Sequence, residues 1–186
     1  TSVEAQVLKI LAAKPDAVLI GGSGTPGALP AISLAGRGYK GPVYGNHGMV
    51  NPDFIRVGAK SVENLIAPTG PLVVAEQLPD SHPVKGVANG FVKAYDAAYG
   101  AQNRNAFAGY AYDAYLLVEK AAPEALKIAK PGTPAFRAAL RDALEKLREV
   151  AGTHGVYSMS PTNHNGMDAR ARVLVKVDNG AWRLAQ

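Results

Sequence analysis

Residues 17–31 read AVLIGGSGTPGALPA, an apolar run that passes straight into a glycine-rich stretch. Ala17–Ile20 is short and bounded, which predicts a buried strand. Gly21–Gly27 predicts a tight loop, and Pro26 suits an early position of a helix continuing through Leu34. A strand–glycine loop–helix unit presents bare backbone N–H groups at the carboxyl end of a strand. That is where open α/β sheets bind ligands.

The flanking sequence extends the same pattern. Thr1-Ser-Val-Glu4 has the form of a capping box, and Val3, Val7, Ile10 and Leu11 share one helical face. Lys14-Pro15 stops that helix, and Gly36-Arg-Gly38 ends the one after the glycine loop at about Ala35. Gly41–Gly45 predicts a second short strand. Asn51-Pro52 caps a brief helix through Ile55. Ser61–Ala75 is strand-like but broken by Pro68, Gly70 and Pro71, the mark of a crossing segment. This alternation predicts a parallel sheet.

Three helices are then expected in a row, over Pro83–Tyr99, Phe107–Ala121 and Thr133–Val150, the last opened by Thr133-Pro134. β structure returns at His154–Met159, Arg172–Val177 and Ala181–Leu184, the last two joined by Asp178-Asn179-Gly180, a hairpin signal. The leading helix has no strand before it, and the helix block has few strands to pack on. That organisation is expected of part of a larger α/β assembly.

Composition narrows the function classes. Net charge is +5, from 20 basic and 15 acidic residues, with no basic run and no aromatic-interleaved basic stripe; a nucleic-acid partner is not expected. The absence of cysteine excludes disulfides and thiolate chemistry. No apolar run is long enough to cross a bilayer. The first residue is Thr1, so a signal peptide need not be visible in this stretch.

Several motifs lie close to known chemistry. Gly22-x-Gly24-x-x-Gly27 has dinucleotide-fingerprint spacing, but Tyr44–Gly48 holds no carboxylate for a ribose, and Pro26 and Pro30 disturb the phosphate-binding helix start. Gly21-x-Ser23-x-Thr25 approaches a nucleophile elbow, with Thr25 in place of the second glycine. His47, His82, His154 and His164 show no metal spacing, so neither a metal nor another cofactor is expected, although a triad stays open. His47, just past a strand end between Asn46 and Gly48, is placed to donate to an anionic ligand or to cap its loop. Phe107 and Tyr110 are core or ligand contacts, and Gly109 permits close backbone approach.

Taken in order, GGSGTPGALP, GRGYKGPVYGNHG, NPDFIRVG, AYDAAYG, FAGYAYDAYLL and THGVYSMSPTNHNGMDARARVLVKVDNGAWRL closely resemble the C-terminal half of one family. These are the periplasmic solute-binding proteins of branched-chain-amino-acid-type ABC transporters, with their Leu/Ile/Val-binding and amide-binding relatives. The resemblance covers essentially the whole chain. It implies the type I periplasmic-binding-protein fold: two Rossmann-like α/β lobes joined by three crossings, with a ligand clamped between them. Residues 1–72 would then belong to the second lobe and 73–157 to a segment returning to the first. Residues 158–186 would cross back and end in a hairpin on the second lobe.

The resemblance also implies a role and a site. The role is non-catalytic capture of a small organic solute in the periplasm, and delivery to a membrane ABC permease. The partners implied are that solute, the permease and the N-terminal half of the same protein. The implied ligand-binding residues are Ser23, Gly24, Thr25, His47, Gly48, Phe107, Gly109 and Tyr110. Ser23 matches a contact position often aromatic in the amino-acid binders. His47 matches a position where they place an acid to hold the substrate ammonium. Phe107 matches an apolar contact near the hinge. A histidine for an acid favours an aromatic or other organic carboxylate over an amino acid. An NAD(P)-binding enzyme domain, and a sensor domain of the same fold in a receptor or regulator, are the alternatives.

Overall fold

The computed structural model describes residues 2–185, and the chain falls into two compact units. One comprises 1–69 and 173–186, the other 70–172. Thr1 of the expected capping box lies outside the described residues. The Ser2 hydroxyl instead accepts the Glu4 N–H at the start of α1 (Glu4–Ala12).

The first unit is built on a five-stranded sheet in the order β1-β2-β3-β6-β7. β1 (Val18–Ile20), β2 (Val43–Gly45) and β3 (Ile66–Thr69) are parallel. β6 (Val173–Asp178) and β7 (Ala181–Leu184) add antiparallel strands beyond β3. The expected parallel sheet is therefore a mixed one. Asn179 and Gly180 take φ of 51° and 72°, the two positive angles that a tight hairpin turn demands. The Glu63 carboxylate accepts both of their N–H groups and pins the turn.

Helices cover this sheet through a small-residue face. α2 (Ala28–Gly36) buries Ala28, Ala31 and Leu34 at helical spacing. α3 (Pro52–Gly58) starts where Asn51 Oδ1 accepts the Phe54 N–H at 2.8 Å, as the Asn-Pro pair predicts. It runs three residues past Ile55. Phe54 stacks on Trp182 with centroids 5.9 Å apart.

The second unit holds α4 (Lys85–Tyr99), α5 (Ala106–Leu126) and α6 (Pro134–Leu144), with a two-stranded ladder of β4 (Val150–Ala151) and β5 (Val156–Tyr157). Asn105 Oδ1 caps α5 at Ala108 N, and Thr133 Oγ1 caps α6 at Phe136 N. α5 passes its expected end at Ala121 and continues across Pro123, with Ala121 and Ala125 buried. Leu72, Ala75, Ala88 and Val92 form one core patch, with Phe91 against it. Arg104 spans Asp96 at 2.5 Å and Glu76 at 2.6 Å, and these two acids hold its guanidinium pKa up.

Two expectations near the end of this unit are corrected. The helix expected to reach Val150 stops at Leu144, because the returning chain takes its backbone partners. Met159 N–H donates to Leu147 O, and Ser158 Oγ accepts the Glu149 N–H. Val150 then lies in β4. The strand expected over His154–Met159 shrinks to Val156–Tyr157, because Thr153 and His154 turn their N–H groups onto a side chain. Among the described residues, no helix is long and apolar enough to cross a membrane.

Candidate functional site

In the first unit the residues expected to bind ligand follow the carboxyl ends of β1 and β2. Ile20 and Gly45 are paired in the sheet, so the loops that follow leave side by side. Gly24 N–H donates to Gly48 O at 3.0 Å and ties the two loops together. Gly24 stands at φ 58°, ψ −158°, a conformation essentially reserved for glycine. Gly48 N–H in turn donates to Asn46 Oδ1 at 2.9 Å.

The glycine spacing has a packing cause. A Cβ on Gly22 would lie 2.8 Å from the Gly27 backbone, and one on Gly45 would lie 2.8 Å from Met49 Sδ. A Cβ on Gly27 would lie 3.2 Å from Met49 Cγ. The fingerprint-like glycines thus close a tight turn over the fully buried Met49.

Above this base stand Ser23, Thr25 and His47. Ser23 is exposed, and a Cβ on Gly48 would meet its Oγ at 3.1 Å. His47 is half-buried, and that burial lowers its pKa, so the ring is neutral at pH 7. In the unfolded chain the ring keeps the higher pKa. Stability contributed by the buried neutral ring is therefore full above pH 6.5 and declines as pH falls below it. Neither Gly21–Gly27 nor Asn46–Met49 contains a charged residue. These loops carry two hydroxyls, a neutral imidazole and backbone groups, and no counter-charge for an ammonium.

In the second unit Phe107, Gly109 and Tyr110 lie in the first turns of α5. Phe107 is 63% exposed. Gly109 is buried, and the close approach that it permits is made by the protein itself. A Cβ there would collide with Leu72 Cδ2 and lie 2.8 Å from His154 Nε2 and Thr153 Oγ1. The Tyr110 ring stacks on the His154 imidazole, centroids 3.8 Å apart at 12°. Burial first, and then the Asp113 charge, raise the Tyr110 phenol pKa.

Sequence reasoning missed the polar centre beneath these residues. Asp113 and His154 are both buried. The Asp113 carboxylate accepts from Thr153 N–H at 2.6 Å, His154 N–H at 3.0 Å and Tyr157 O–H at 2.8 Å. Burial, with this hydrogen bond and charge behind it, pushes the Tyr157 phenol pKa up and keeps it a donor. His154 Nε2 lies 2.9 Å from Ala106 O, so Nε2 carries the ring proton. Because Asp113 takes the backbone N–H of His154 and not its ring, the two are not a base and its orienter in the sense of a triad. The signal that could have found them is glycine spacing: Gly152 and Gly155 flank Thr153-His154, and a Cβ on Gly152 would lie 2.7 Å from the carboxylate.

The other histidines take ordinary roles. His82 Nδ1 accepts the Val84 N–H at 3.4 Å, and His164 pairs with Glu145 at 3.0 Å on the surface. Among the described residues, no group of three or more His, Asp or Glu side chains could hold a metal ion.

A family model for periplasmic binding proteins matches residues 1–181. The chain belongs to that family. Two solved relatives, extracellular ligand-binding receptors from Rhodopseudomonas palustris HaA2, are 44% and 46% identical to it, with TM-scores of 0.94 and 0.92. Each is matched over 100% of this chain and over 52% and 51% of its own length. A leucine binding protein from Thermotoga maritima MSB8 is 25% identical, with a TM-score of 0.76, over 98% of this chain and 47% of that one. Curated proteins yield no significant match. The fold is thus that of a type I periplasmic binding protein, and the chain spans about half the length of these solved structures. These relatives carry the names of receptors and binding proteins, not of enzymes.

Proposed function

We propose that this chain is the C-terminal half of an extracytoplasmic solute-binding protein. It would capture a small organic carboxylate by hinge closure and deliver it to an ABC permease. Family membership supports the binding role, and receptors 44% and 46% identical support it further. Residues 1–72 and the terminal hairpin would belong to one lobe, and 73–157 to the other. Solute contacts on both lobes would favour the closed form, which the permease recognises.

The observation that carries the ligand class is the uncharged loop pair at β1 and β2. The neutral His47 ring and the Ser23 hydroxyl donate to a carboxylate or hydroxyl group, and nothing in these loops balances an ammonium. Phe107 is exposed and Tyr110 half-buried at the start of α5, and the family resemblance implies both as ligand contacts. An aromatic or other organic acid suits the uncharged loop pair better than leucine, whose ammonium would find no counter-charge there.

Calorimetry on the full-length protein with aromatic acids, aliphatic acids and branched amino acids tests the reading. The acids should bind, and His47→Ala should weaken them by about 1–3 kcal/mol, the scale of a buried partner left without its hydrogen bond. Unchanged affinity in His47→Ala would remove His47 from the site.

A further inference from the structure

We propose that His154 is a positioning residue, holding the Tyr110 ring in the orientation that α5 presents to a solute. The proposal rests on the reading of Phe107 and Tyr110 as ligand-wall residues. Every freedom of the imidazole is removed by a named contact. Asp113 accepts its backbone N–H at 3.0 Å, which sets where the side chain starts. Ala106 O accepts from Nε2 at 2.9 Å, which sets the ring rotation. Gly70 and Gly109 lie so close to the ring edges that a Cβ on either would strike it. The ring itself is fully buried.

Tyr110 lies flat on that fixed plate, at 3.8 Å and 12°. Ala106, Phe107 and Tyr110 occupy the first turns of one helix, so one imidazole anchors both the helix start and the phenol ring. Tyr110 is only half-buried, which leaves the rest of its surface for other contacts. A stacked aromatic pair gains stability beyond its buried area, which favours one ring orientation over its alternatives.

The test uses the full-length protein carrying ring-labelled tyrosine, with benzoate and butyrate as probes. His154→Gln keeps an amide donor for Ala106 O and removes the stack. Tyr110→Leu removes the stack from the other side and leaves His154 in place. In solute-free protein, NMR should show the Tyr110 ring resonances displaced by the imidazole in wild type and relaxed toward unstacked positions in His154→Gln. Benzoate affinity should fall about tenfold in Tyr110→Leu and roughly threefold in His154→Gln, and the double variant should lose no more than Tyr110→Leu, because His154 acts through the Tyr110 ring. Butyrate affinity should change less than twofold. Tyr110 resonances that stay in place in His154→Gln would overturn the proposal, as would fully additive losses. If wild type binds neither probe nor any other acid, the carboxylate reading fails, and the NMR result still decides the role of His154.

Discussion

Replacing Asp113 with alanine should destabilise the protein by about 3–5 kcal/mol, because each orphaned buried donor costs roughly 1–3 kcal/mol. Thr153 N–H, His154 N–H and Tyr157 O–H all end on this one carboxylate. Water entering the space left behind would satisfy some of them, which keeps the total below a simple sum. Against a whole-domain stability of roughly 5–15 kcal/mol the loss is large. Asp113→Asn should cost less, about 2 kcal/mol, since one oxygen still accepts while the amide turns donors toward a donor. Urea unfolding of the full-length protein gives the check. An unchanged midpoint in Asp113→Ala would mean that the segment 152–157 holds its shape without the carboxylate.

The second large effect runs against helix propensity. Gly109 lies inside α5, where alanine is intrinsically better by about 1 kcal/mol. Gly109→Ala should nevertheless destabilise by about 1–3 kcal/mol, because overpacking a filled interior forces its neighbours to shift. The new Cβ would collide with Leu72 and crowd His154 and Thr153, and all three are fully buried. Gly90 in α4 is the control. A Cβ there meets nothing within 4 Å, so Gly90→Ala should stabilise by up to about 1 kcal/mol. Thermal unfolding of the two variants should therefore move in opposite directions. A stabilised Gly109→Ala would show that the contact around His154 is looser than the geometry states.

The sequence was legible where local chemistry decides conformation. Asn179-Gly180 supplies two positive φ angles, and the hairpin forms there. Asn51, Asn105 and Thr133 cap helices because each offers an oxygen to a first-turn N–H that has no partner within the helix. The glycine loop after β1 was placed, and so was its position at the carboxyl end of a strand.

Legibility failed where distant chain segments compete for the same backbone groups. Residues 145–150 carry a helical pattern, yet Met159 and Ser158 draw Leu147 and Glu149 out of the helix. Glu149 even takes φ of 49°, which no local signal foretold. The Asp113–His154 centre joins residues about forty positions apart in sequence. Neither residue has a neighbour of matching chemistry nearby in the chain, and only the small residues around them betray that something bulky is packed close. The site loops read correctly as loops, while the reason for their glycines, packing over Met49, lies outside any single motif.

The most direct test of the account is native mass spectrometry of the full-length protein as purified, followed by release and identification of any solute it retains. The account predicts one small organic carboxylate per protein molecule, displaced by added aromatic or aliphatic acid. A retained leucine, isoleucine or valine that no acid displaces would contradict it, and a retained dinucleotide would contradict it more deeply.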